Sequence, residues 1–164
     1  MKKIMVIGCP GSGKSTFSRA LHNRTGIPLF HLDMLYWNPD KTTVEKNLFL
    51  QRLQEILNTD QWILDGNYNS TMALRMQACD TVIFLDYPLE MCLAGLSERQ
   101  GKIRSDMPWV EADGEDPEFI RFVQDFPTQS RPQILELLGK HPEKQCFIFH
   151  DRTQAAHFLS KARA

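Results

Sequence analysis

The feature that most narrows what this chain can become is the run Ile4-Met5-Val6-Ile7-Gly8-Cys9-Pro10-Gly11-Ser12-Gly13-Lys14-Ser15-Thr16. An apolar stretch passes directly into the spacing G-x-x-x-x-G-K-S, from Gly8 to Ser15, and then into a helical pattern. Strand, glycine loop and helix in that order gather backbone N–H groups around an anion, with the positive end of the helix dipole behind them. Gly11 and Gly13 allow the tight path that a side chain would block. The pattern predicts a phosphate loop for a nucleoside triphosphate, lined by Gly8, Gly11, Ser12, Gly13, Lys14, Ser15 and Thr16. Lys14 would reach the β- and γ-phosphates, and the Ser15 hydroxyl would hold Mg²⁺. A ligand-free turn explains the glycines but not the Lys-Ser pair that follows them.

Beyond the loop, apolar runs alternate with segments of helical period, the pattern of a parallel sheet covered by helices. Strands are predicted at about 3–7, at 29–32 ending on Asp33, at 62–64 ending on Asp65-Gly66, at 81–85 ending on Asp86, and at 146–149. Between them, Phe17, Ala20 and Leu21, then Phe49, Leu53, Ile56 and Leu57, then Leu89, Cys92, Leu93 and Leu96 recur at helical spacing. Asp116-Pro117-Glu118 starts a further helix with Phe119, Phe122, Val123 and Phe126 on one face. Pro127 and Pro132 break the pattern before Ile134, Leu137 and Leu138, and Ala155, Phe158, Leu159 and Ala162 mark a last helix.

Ligands of open parallel sheets bind beyond the carboxyl ends of the strands. Three carboxylates, Asp33, Asp65 and Asp86, therefore emerge on the face that carries the phosphate loop. Asp86, before Tyr87-Pro88, reads best as a turn residue. Asp65 is placed to hold a water of the Mg²⁺ shell, and Asp33 to take the proton of an acceptor hydroxyl. Tyr36, Trp37, Asn67 and Tyr68 could wall that acceptor, although Tyr36 and Trp37 serve equally as core aromatics. Between 100 and 115 the periodicity fails, and Arg99, Lys102 and Arg104 suggest a lid that brings positive charge over the phosphates. Arg152 reads as a flank of the nucleotide base or as a surface residue.

Composition excludes some classes. At 164 residues the chain suits one domain, expected to span 1–164 with a lid insertion at about 100–126. Net charge is −1 with no basic run, which argues against a direct grip on nucleic acid. No apolar stretch is long enough to cross a membrane, and a cytoplasmic location is expected. The four cysteines lack any C-x-x-C spacing and suit reduced thiols, with Cys9 a spacer whose position near Lys14 could lower its pKa. The five histidines show no ligand spacing. Nothing in the pattern speaks to oligomeric state.

With these motifs assembled, the chain resembles the adenylate-kinase-like group of P-loop phosphotransferases over nearly its whole length. Gly8 to Thr16, Leu64-Asp65-Gly66 and Val82-Ile83-Phe84-Leu85-Asp86-Tyr87-Pro88 are similar to that group's segments, and Arg99 falls at its lid-edge arginine. The resemblance implies a three-layer α/β P-loop NTPase fold with strand order 2-3-1-4-5, helices on both faces, and ATP with Mg²⁺. More narrowly, 31–37, 62–68 and 104–108 resemble the bacterial topology modulation proteins, which are related to flagellar regulation. The departures concern the acceptor. Where adenylate kinases hold the acceptor's phosphate with arginines, Tyr36 and Asn69 stand, with Arg75 farther along as a substitute. That points to an uncharged, hydroxyl-bearing acceptor. The expectation is an ATP- and Mg²⁺-dependent kinase of a small molecule, with a nucleoside or nucleotide among the candidate acceptors, using Lys14, Asp33, Arg99 and Arg104. The alternatives are a nucleotide-dependent regulator of DNA topology and a simple NTPase.

Overall fold

The computed structural model describes residues 1–109 and 116–163, so the middle of the expected lid, 110–115 with Gly114, lies outside the described residues. The apolar runs form five parallel strands, β1 Lys3–Gly8, β2 Leu29–His31, β3 Trp62–Asp65, β4 Thr81–Leu85 and β5 Gln145–Phe149. Their order is β2-β3-β1-β4-β5, the one the resemblance implied. Ile4, Met5, Val6 and Ile7 of β1 and Val82, Ile83 and Phe84 of β4 have no solvent exposure. Central strands covered on both faces require such unbroken apolar sequence.

Around the sheet lie α1 Lys14–Thr25, α2 Leu32–Tyr36, α3 Lys46–Leu57, α4 Asn69–Ala78, α5 Leu89–Arg99, α6 Pro117–Asp125, α7 Ser130–Gly139 and α8 Arg152–Lys161. Helix α1 begins without a side-chain cap, because Gly13 in the left-handed region (φ 89°) precedes it. Its first N–H groups therefore remain available to a ligand. Helix α3 buries the four residues of its predicted stripe. Helix α6 starts where Asp116 accepts a hydrogen bond from the Glu118 N–H at 3.0 Å.

Three predicted boundaries differ. Strand β2 ends at His31, not Leu32, because its partner β3 supplies register mates only as far as Asp65. Leu32 and Asp33 therefore open helix α2, a turn beyond the sheet. Pro132 does not break α7 but sits in its first turn, where the missing N–H is no loss. Of the segment expected as a lid, α6 packs on the body: Val123 has no exposure and Phe126 is buried. Residues 102–109 hold turns and bends.

Candidate active site

The carboxyl ends of β1, β2 and β3 open into one cavity of about 940 Å³, lined by the phosphate loop, Asp33, Asp65, Asn67 and Tyr68. Cations also line it: Lys14, Arg19, Arg99, Lys102, Arg104 and Arg152. The loop is held from two sides. On one, the Gly8 N–H donates to Asn67 Oδ1 at 3.1 Å and Asn67 Nδ2 donates to the Gly8 carbonyl at 2.7 Å. On the other, α5 crosses so closely that a Cβ on Gly11 would overlap the Cys92 carbonyl, and one on Gly95 would overlap the Gly11 carbonyl. Asn67, predicted as an acceptor wall, thus also clamps the phosphate loop.

Lys14 Nζ donates to the carbonyls of Gly8 and Cys9, at 2.9 and 3.3 Å. Burial pulls its pKa down, while Asp65, Cys9 and Asp33 pull it back up in part. A buried ammonium of this kind gains when further negative charge arrives. The Ser12 hydroxyl is buried and has no hydrogen-bond partner among the described residues. The Cys9 thiol is not the lowered one that its neighbourhood suggested: the Cys92 side chain and burial push its pKa up.

At the other end of the cavity, Asp33 accepts a hydrogen bond from the Tyr68 hydroxyl. Burial raises the Asp33 pKa, Tyr68 and Lys14 oppose this, and the result stays above the usual carboxylate value. Burial and Asp33 push the Tyr68 hydroxyl up, so it remains a donor. Asp65, 4% exposed, sits in register with His31, and His31 Nδ1 lies 2.7 Å from Asp65 Oδ2. Trp37 and Trp109 meet edge to face, 5.3 Å between centroids, and both line the cavity.

Two residues expected at the acceptor do not reach it. Tyr36 packs against Phe49 and Tyr68, with centroids at 5.4 and 4.9 Å, behind the cavity wall. Arg75 is fully buried and donates to the carbonyls of Gly66, Asn67 and Tyr68. Burial lowers its pKa to about 10, which leaves it charged at neutral pH. Its bonds fix a turn in which Tyr68 adopts a left-handed φ of 33°, a conformation costing about 1–3 kcal/mol for a side-chain-bearing residue. Arg75 therefore shapes the site from behind.

Asp86 makes a two-pronged pair with Arg131, at 2.8 and 2.9 Å, and lines a separate cavity of about 320 Å³. It is not among the residues that line the larger cavity. From the lid side, Arg99 lies over the Phe119 ring at 5.9 Å. Arg104 donates to both oxygens of Asp106, at 3.0 and 2.6 Å. Asp106 in turn accepts from the Ser15 hydroxyl at 2.6 Å, and Ser105 accepts from Arg19 at 3.0 Å. Burial works to raise the Asp106 pKa, but Arg104 and Ser15 outweigh it and hold the carboxyl well below the usual range.

The loop suits a triphosphate. Open space surrounds Gly13, a buried hydroxyl on Ser12 lacks a partner, and an uncapped helix start faces the cavity. No group of three or more His, Cys, Asp or Glu among the described residues is set to hold a metal ion. A divalent cation at Ser15 would thus complete its shell with phosphate oxygens and water, as Mg²⁺ commonly does.

Asp106, His31, Trp109 and Gly95 were missed by sequence reasoning. Gly95 left a signal, a lone glycine inside a helix, which often marks close packing. Asp106 lies in the 104–108 segment of the resemblance, but its pairing with Ser15, 91 positions away, left no signal.

No protein-family profile and no curated protein matches the chain. Solved structures do. A shikimate kinase from Bacteroides thetaiotaomicron aligns at TM-score 0.60 and 16% identity, covering 96% of this chain and 94% of its own. A shikimate kinase from Acinetobacter baumannii, in complex with shikimate, aligns at 0.61 and 16% over 98% and 90%. A gluconokinase from Sinorhizobium meliloti 1021 aligns at 0.60 and 12% over 98% and 89%. At such identities the likeness establishes a shared fold. Among the described residues, no helix is long and apolar enough to cross a membrane.

Proposed function

We propose that this chain is an ATP- and Mg²⁺-dependent kinase that phosphorylates a hydroxyl of a small acceptor without anionic groups. The observation that carries the reading is that the phosphate loop and the Asp33–Tyr68 pair open into the same cavity. The fold neighbours lend support to the kinase part of the reading alone, since their names are those of kinases for small molecules, a sugar and the carboxylate shikimate among them.

Mg²⁺, when bound, would offset the charge of the triphosphate, and Ser15 is the residue that would hold it. The loop amides and Lys14 would grip the phosphates, and Ser15 and Asp65 would serve the metal and its waters. Arg99 and Arg104, carried at the edge of and within the proposed lid, add positive charge over the transferring group. Asp33 receives the acceptor's proton as its oxygen attacks in line. A carboxyl whose pKa lies above the usual value is a better proton acceptor once ionised. Tyr68 fixes its orientation, and Trp37 and Trp109 supply flat apolar walls.

The acceptor's charge follows from where the cations point. Arg75 bonds backbone carbonyls, and Asp33, Trp37, Asp65, Asn67 and Tyr68 contribute no positive group at that end. An anionic acceptor would meet Asp33 and Asp65 without a bidentate arginine to offset them. The resemblance to topology modulation proteins would set this chemistry within a regulator. The net charge of −1 weighs against one that grips DNA directly.

The test is an ATP-consumption screen over nucleosides, nucleotides, sugars and small alcohols, with product mass measured. A phosphorylated neutral acceptor is the expected result. ATP turnover equal with and without every acceptor would favour hydrolysis, and a salt-sensitive gel shift on DNA would revive the regulator.

A further inference from the structure

The Ser15 hydroxyl carries one proton and two lone pairs, and the fate of the proton decides where the lone pairs point. Five carboxylates line the cavity, Asp33, Asp65, Glu98, Asp106 and Asp116, and two of those at the strand ends are engaged elsewhere. Asp33 accepts from Tyr68, and Asp65 Oδ2 lies 2.7 Å from His31 Nδ1. The carboxylate that takes the Ser15 proton is Asp106, at 2.6 Å, 4% exposed and held from behind by both arms contacted from Arg104. A hydroxyl donating to a carboxylate is a stronger oxygen donor and keeps its lone pairs turned outward. Asp106 belongs to the turn segment 102–109, not to a strand tip.

We infer that Asp106 is the positioning residue of the metal site: it takes the Ser15 proton, aims the Ser15 oxygen at the cation, and ties metal binding to lid placement. The inference rests on the proposed magnesium–nucleotide chemistry. It goes further in assigning the Ser15 partner to the lid, on the same tripeptide as Arg104. One rearrangement of that tripeptide would then remove a cavity-lining guanidinium and the orienting carboxylate together. Partners of this kind, standing behind a metal ligand, typically govern metal affinity by about 10–100-fold.

The experiment measures binding of a fluorescent ATP analogue to the full chain, with and without Mg²⁺, in wild type, Asp106→Asn and Ser105→Ala. Asp106→Asn is expected to raise the Mg²⁺ concentration for half-maximal effect by about 10–100-fold, with metal-free nucleotide affinity nearly unchanged. Ser105→Ala, which loses only the neighbouring tether to Arg19, is expected to keep the wild-type Mg²⁺ dependence. Unchanged Mg²⁺ dependence in Asp106→Asn overturns the inference. So does an equal loss of binding with and without metal, which would make Asp106 merely structural. If wild type itself shows no metal-dependent binding, the proposed function fails first. Should Asp106→Asn not fold, hydrogen exchange of residues 103–107 decides the matter in wild type and Ser15→Ala. Protection by Mg²⁺-nucleotide in wild type alone supports the coupling, and equal protection in both refutes it.

Discussion

The two ends of the large cavity are made differently. At the proposed phosphate end, the groups offered to a ligand come from one unbroken stretch, Gly8 to Ser15, and many of them are backbone amides. At the proposed acceptor end, each group arrives from another element: Asp33 from α2, Asp65 from β3, Tyr68 from the turn before α4, and Trp109 from beyond α5. An end built from consecutive backbone is fixed by local sequence. An end built from assembled side chains depends on tertiary pairs such as Asp33–Tyr68, and is free to differ between chains that share the fold. Grip on nucleotide and choice of acceptor should therefore respond to separate mutations.

The largest separation is expected from Lys14→Ala, which removes the charge from the phosphate end. Turnover with the best acceptor should fall by about 10³-fold or more, the scale of losing a preorganised group from the transition state. An assay of ATP consumption that finds less than about a tenfold fall would remove Lys14 from the chemistry. Next comes Asp33→Asn, where turnover should drop by about 10²-fold or more with ATP affinity held. Its thermal midpoint at neutral pH should hold or rise. Burial keeps the folded pKa of Asp33 above its unfolded value, so the ionised carboxylate costs stability once the pH exceeds the unfolded value. Full activity in Asp33→Asn would mean that the proton goes elsewhere.

The same contrast explains how far the sequence could be read. Strand β4 was legible to the residue, because a buried central strand is an uninterrupted apolar run closed by Asp86. Asp65 was legible as the polar residue ending such a run, but His31 beside it was not. Their pairing depends on β2 and β3 being neighbours in a particular register. Tyr36 and Trp37 are adjacent in sequence and meet at 89°, yet one faces the aromatic core and the other the cavity. No periodicity separates two residues at the end of a five-residue helix. Arg75 misled because a charge on a helix near a site reads as a ligand contact. What decides its role is the ring of carbonyls left by the turn at 66–68, which has no signature of its own.

Arg75 sharpens the comparison by stability. Arg75→Ala would take the guanidinium from the Gly66 and Asn67 carbonyls and release the left-handed turn at Tyr68, whose own carbonyl keeps Thr71 as donor. It should cost about 3–5 kcal/mol in chemical denaturation, at about 1–3 kcal/mol for each group left unsatisfied. Were Arg75 an acceptor ligand, the same variant would keep its stability and show only a raised KM.

The smallest effect is the most specific to the acceptor end. Tyr68→Phe removes one hydroxyl and keeps the ring packed against Tyr36 and Phe49. The hydroxyl donates to Asp33 and so favours its ionised form, opposing the larger push from burial. Without it the Asp33 pKa must rise, and the acid limb of kcat/KM should move to higher pH. Above that limb, activity should fall only several-fold, of the order of one lost hydrogen bond, about 1 kcal/mol. ATP affinity should not change at any pH, because Tyr68 makes no bond to the phosphate loop. The direction of the shift carries the information. An acid limb that moves to lower pH, or stays in place, would mean that the titrating group is not the one Tyr68 touches. The base would then have to be sought at Asp65, whose partner His31 stands on the neighbouring strand.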